Sequence, residues 1–181
     1  MIIRGISKGQ ETQIKATTHG ELLVRAITET EIEHASSTGR AFIFQSSNSD
    51  IGAGDTRLFI KNTSDDFLIL DRLIINPGNV VCRYDIGMGS DITTPTGTAI
   101  TAVNMNQQFS GTTFGYVAFD DETAVADTTT LLSVTCSTTE SLQVPIDGII
   151  LGKNHYIQIN QETESTSGQV CVIAHFEEDL I

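Results

Sequence analysis

The chain has 181 residues, 39% of them hydrophobic, with eight Phe, no Trp, a net charge of −13 and a pI near 4.4. That length can bury a sizeable core within one domain. The charge repels phosphate backbones and anionic lipid, and the chain lacks the basic stripe of a nucleic-acid reader.

Thr occurs 24 times, against 10 Lys and Arg together. A β-branched excess of this kind favours strands and the loops that join them, so an all-β class is expected. No apolar run approaches the roughly 20 residues that cross a bilayer. The opening residues, Met1 to Ile6, are too short and too polar for a signal peptide. Folding in a reducing cytoplasm is the expectation, with no membrane partner.

Residues 1–20 differ from the rest: Gly5, Gly9 and Gly20 alternate with Lys, Gln and Thr, and the only apolar residues after the first three are isolated Ile. Such a segment buries too little surface to offset its chain entropy alone. It reads as an extended arm that orders against a partner, the alternative being a frayed terminus. Ile2, Ile3, Ile6, Ile14 and Lys15, with Leu22 and Val24 just beyond, are the candidate partner-binding residues. Residues 21–181 form the predicted domain.

Glu21 to Ile27 reads as a first strand. Thr28 with Glu31 three residues on has the form of a capping box, and predicts one short helix ending near Gly39. Strands are then expected over 40–46, with Phe42 and Phe44 on one face, and over 56–62, with Leu58 and Ile60 inward and Arg57, Phe59 and Lys61 opposite. Residues 67–76 are apolar on both faces apart from Asp71 and Arg72, as in a central strand. Residues 80–86 alternate, with Val80, Cys82, Tyr84 and Ile86 inward. Gly87 to Gly97 reads as a polar loop and 98–108 as a weak strand. A long loop around a short strand at 114–119 follows.

Residues 128–137 carry Leu132, Val134 and Cys136 on one side. Two short strands flank Pro145, and 155–161 and 169–176 complete about nine or ten strands. Turn spacings of roughly 8–12 residues suit a β-sandwich. A jelly roll is preferred over an immunoglobulin-like order because no Cys…Trp…Cys pattern is present.

Cys82, Cys136 and Cys171 are odd in number and lack CxxC spacing, which suits small buried thiols over a disulfide or reactive site. His19, His34, His155 and His175 fall on four separate elements with no ligand spacing. The cluster Asp120, Asp121, Glu122 and Asp127 could wrap a hard cation but lacks the register of a calcium loop, so a solvated acidic loop is the reading taken. Asp65-Asp66 and Glu177 to Asp179 are read the same way. Asn62-Thr63-Ser64 matches a glycosylation sequon, read as a chance match in a turn. No nucleophile elbow, phosphate loop or zinc motif occurs, so neither an enzyme nor a cofactor is expected.

Several segments together resemble small virion proteins of tailed bacteriophages. They are Gly20 to Glu31, Glu33 to Phe42, Leu58 to Thr63, Thr94 to Ala99, and Leu151-Gly152-Lys153. The resemblance implies a copy-rich particle component of the capsid-decoration (cement) type. It would be made in the host bacterial cytoplasm and carried in the virion, binding the major capsid protein and itself, commonly as a homotrimer. It transfers no site residue. The alternative is a tail, neck or fibre component, or a head fibre that binds host glycans.

Overall fold

A computed structural model describes residues 3–7, 10–14, 30–47, 51–90, 97–106, 108, 114–120 and 129–177. The chain divides into two compact units, Met1–Thr30 and Glu31–Ile181.

Within the first unit, β1 (Ile3–Ser7) and β2 (Gln10–Ile14) pair antiparallel, Ile3 opposite Ile14 and Ser7 opposite Gln10. The expected arm is therefore a hairpin over these residues. The strand expected over 21–27 and the cap at Thr28 lie outside the described residues.

The second unit opens with α1 (Glu31–Ser37), which starts at Glu31, later than a Thr28 cap would place it. Its end is as expected. The Gly39 amide donates to the Ser36 carbonyl at 3.0 Å and the Arg40 amide to Ala35 at 2.7 Å. Gly39 adopts a φ of 75°, the left-handed turn for which glycine is suited.

Eleven strands follow among the described residues: β3 (Ala41–Gln45), β4 (Thr56–Asn62), β5 (Phe67–Asn76), β6 (Cys82–Ser90), β7 (Thr98–Ala99), β8 (Val103–Asn104), β9 (Tyr116–Asp120), β10 (Thr129–Cys136), β11 (Leu142–Leu151), β12 (His155–Gln161) and β13 (Gln169–Glu177). They form two sheets, β10-β6-β12-β4-β9-β7 and β11-β5-β13-β3-β8.

The pairings explain this order. β3 pairs with β13, β4 with β12, β5 with β11 and β6 with β10, all antiparallel. That nesting is one long hairpin whose tip lies between β6 and β10. Rolling it up adds two further contacts, β5 with β13 and β6 with β12. The result is a jelly-roll sandwich. Residues between β6 and β10 supply β7, β8 and β9, which extend β4's sheet through β9 and β3's sheet through β8.

Between the sheets lies a core of alternating residues, including Phe42 and Phe44 of β3, Leu58 and Ile60 of β4, Leu70 and Leu73 of β5, Tyr84 and Ile86 of β6, Ile157 and Ile159 of β12, and Val172 and Phe176 of β13. Their inward positions follow from the two-residue strand period. As expected, β5 is an interior strand, between β11 and β13.

Four findings depart from the sequence reading. β6 runs on through Ser90 instead of ending in a loop at Gly87. Its Gly89 lies directly opposite Tyr156, whose ring occupies the space a Cβ would need, so glycine here marks a close approach within a strand. The weak strand over 98–108 is reduced to β7 and β8. The two strands around Pro145 are one strand with a register shift, at which Gly148 takes a φ of 88°. Finally, Arg57 and Phe59 are wholly buried, not on a polar outer face. The ladder with β12 skips Arg57, and the Phe59 ring packs on Tyr156 at 5.2 Å between centroids.

Candidate functional site

Of the candidate partner-binding residues, Ile3 and Ile6 lie on β1 and Ile14 on β2, where Ile3 and Ile14 are ladder partners and Ile6 stands opposite Glu11. Ile2, Lys15, Leu22 and Val24 lie outside the described residues. The hairpin thus brings Ile3 and Ile14 together, a juxtaposition that a linear reading of the segment misses. Its available signal was the Lys8-Gly9 spacing.

In the sandwich, the polar groups with chemical potential are used internally. Arg57 donates through Nε and Nη2 to the Gln161 amide oxygen at 3.0 and 2.7 Å, and through Nη1 to the Gly168 carbonyl at 3.0 Å. A buried cation is tolerated when its donors are satisfied in this way, and here it fastens the β12–β13 connection to β4. His175, also buried, places Nδ1 2.9 Å from the Asp71 carboxylate. Asp71 is the residue the β5–β13 ladder skips, which explains the polar interruption in an otherwise apolar strand. His155 sets Nδ1 3.1 Å from the Lys153 carbonyl. His34 lies on α1, and His19 lies outside the described residues.

The acidic groups separate. Asp120 is buried at the end of β9 and accepts the Ser47 amide at 2.7 Å, so it is not part of a solvated loop. Asp121, Glu122 and Asp127 lie outside the described residues. Asp65 meets Lys153 at 2.6 Å and Asp66 meets Arg40 at 3.1 Å. Among the described residues, no group of three or more His, Cys, Asp and Glu comes together to hold a metal. Asn62 is buried and its amide nitrogen donates to the Asp66 and Leu151 carbonyls, both at 2.8 Å. Both amide protons are engaged, which leaves the sequon no acceptor nitrogen in the folded chain.

All three cysteines are free thiols, with Cys82 and Cys136 buried and directly opposite each other across β6 and β10. Burial pushes the Cys136 and Cys171 thiols up. Burial, and secondarily the neighbouring Cys82, raises the Tyr84 phenol.

Two surface features remain. One is an open groove of about 520 Å³ between α1 and the residues after β8, lined by Ile32, Glu33, Ser36, Met105, Asn106 and Gln108 among others. Asn104 and Asn106 tie its walls together by donating to the Gly39 and Ser37 carbonyls. The other is the side of the sandwich formed by β10 and β11, where Leu131, Leu132 and Ile150 are exposed. Among the described residues, no helix is long and apolar enough to cross a membrane. Comparison of the chain with protein-family models, curated proteins and solved structures gives no match.

Proposed function

We propose that this chain is a structural component of a tailed-phage particle, a decoration protein that binds the outside of the capsid shell and stabilises it. The observation that carries this reading is the division into a jelly-roll unit, Glu31–Ile181, and a separate N-terminal unit, Met1–Thr30, with its own hairpin. The sequence resemblance that begins at Gly20 points the same way.

In this reading the N-terminal unit engages the major capsid protein by strand addition or by lying in grooves between subunits. The jelly roll forms the outer head and contacts further copies of itself. Modest contacts repeated over a lattice then add by multivalency. An acidic surface keeps many copies soluble before assembly.

Deleting residues 1–30 is expected to abolish binding to undecorated particles while the remaining unit keeps its β-sheet circular dichroism. Unchanged occupancy of particles by the truncated chain would refute the proposed role of the N-terminal unit. Copy number, measured by quantitative mass spectrometry of purified virions, separates locations. Lattice-scale occupancy fits the capsid, whereas a small fixed number fits the tail, neck or fibre alternative.

A further inference from the structure

An aspartate followed by glycine readily rearranges its own backbone, because glycine has no Cβ to hinder approach of its amide to the preceding carboxyl. Asp147-Gly148 is the one place in the 181 residues where Asp or Asn precedes Gly. The fold sets this pair apart. It lies on β11, which ends the five-stranded sheet. The register against β5 passes from Pro145 with Arg72 to Ile149 with Leu70, so Ile146, Asp147 and Gly148 stand together opposite Asp71. Ile146 is buried, whereas Asp147 and Gly148 are both exposed. Gly148 takes a φ of 88°, and a Cβ placed there would meet no atom within 4 Å.

Comparable pairs among the described residues are restrained. Asn62 is buried, and the Thr63 amide that would attack it donates to the Gly115 carbonyl at 2.9 Å. The amide after Asn154 belongs to His155 and donates to the Gly152 carbonyl at 3.0 Å. Asp55 precedes Thr56, which is wholly buried.

We infer that Asp147 is a modification site, at which the folded chain converts aspartate to isoaspartate. The Gly148 amide nitrogen bonds to the side-chain carboxyl carbon of Asp147. The carboxyl hydroxyl and the amide proton leave as water, closing a succinimide ring. Water then breaks the bond between that nitrogen and the main-chain carbonyl carbon of Asp147. The chain now runs through the side chain, and the former main-chain carbonyl is a free carboxylate. One water leaves and one returns, so the mass is unchanged and no oxidant or reductant takes part. The product adds one methylene to the backbone between Ile146 and Ile149, where the ladder with β5 is already interrupted. The inference rests on this bulge and not on the virion reading, so either can fail alone.

The test uses the full chain, stored folded at neutral pH and physiological temperature until half of a synthetic peptide of residues 142–151 has converted. Heavy-oxygen water supplies a label, because opening of the succinimide takes its oxygen from solvent. Peptide mapping with electron-transfer fragmentation is expected to place most of the folded chain's isoaspartate, and most of the label, at position 147. An isoaspartate-specific methyltransferase, which moves the methyl group of S-adenosylmethionine to the new carboxylate, gives a second readout. Asp147→Glu keeps the charge but requires a larger ring. It is expected to lose most of that methylation with the circular dichroism unchanged. Should that variant unfold, the mapping of the unaltered chain decides. The proposal is overturned if the peptide converts while position 147 of the folded chain does not, or if isoaspartate accumulates mainly elsewhere. A folded Asp147→Glu chain that is methylated as the parent is overturns it equally.

Discussion

The two sides of the sandwich are built to different standards. On the side completed by β8 and β9, aromatic rings interlock. Phe44 meets Tyr116 edge-on at 5.0 Å, Phe114 stacks on Phe176 at 4.7 Å, and Phe42 touches Phe44, Phe114, Tyr116 and Phe176. Arg40 lies over the Phe114 ring at 5.0 Å, and the Tyr116 hydroxyl accepts the Ala102 amide at 3.1 Å. On the side formed by β10 and β11 the two strands contain no aromatic residue, and Leu131, Leu132 and Ile150 meet solvent. Between β6 and β10 in the chain, β7, β8 and β9 seal the first side. The second packs Val144, Ile146 and Leu151 of β11 into the core, and the Cys136 thiol reaches toward the Ile75 carbonyl at 3.8 Å. Stability is therefore expected to rest mainly on the sealed side.

Three measurements break or sharpen that contrast. Phe42→Ala removes the ring at the centre of the sealed side and is expected to cost about 3–5 kcal/mol in denaturant unfolding, the range for a buried aromatic. A loss below about 1 kcal/mol would show that this cluster does not hold the sandwich. Leu132→Ala, on the half-exposed strand, is expected to cost about 1 kcal/mol or less when measured at dilution, because little apolar area leaves the core. A cost equal to that of Phe42→Ala would erase the distinction.

The smallest effect appears in alkali. The folded chain holds the Cys136 and Cys171 protons beyond the pH at which unfolded thiols, near 9.0, release theirs. Their contribution is therefore complete below about pH 9 and declines as pH rises past it. Tyr84, whose unfolded phenol titrates near 10.0, adds a further decline above that pH. Cys136→Ala should flatten the first part of the fall in Tm between neutral and alkaline pH, and an unchanged slope would remove the thiol from this account.

Much of the fold was legible because strands announce themselves locally. The two-residue period of Leu58 and Ile60, of Ile157 and Ile159, and of Val170 and Val172 marks an inner face without reference to any partner. The glycine at position 39 likewise announces the end of α1. Errors arose where a residue's meaning lies in what stands opposite it. Gly89 reads as a loop until Tyr156 is seen across it, and Asp120 reads as solvated until the Ser47 amide is seen to reach it. Arg57 reads as an outward cation, but a skipped position in the β4–β12 ladder and distant carbonyl oxygens accommodate it inside.

By itself, then, the amino-acid order determined the class, most strand positions, the faces those strands bury and the absence of a readable catalytic motif. Each of these depends on neighbours within a few residues. Only the tertiary structure decided that the strands nest as a rolled hairpin and that the first residues pair with one another. Those outcomes depend on backbone pairings such as Arg40 with Phe176, 136 residues apart. No local pattern encodes a pairing of that separation, because strand register is chosen jointly by both partners and by the side chains that must share one core.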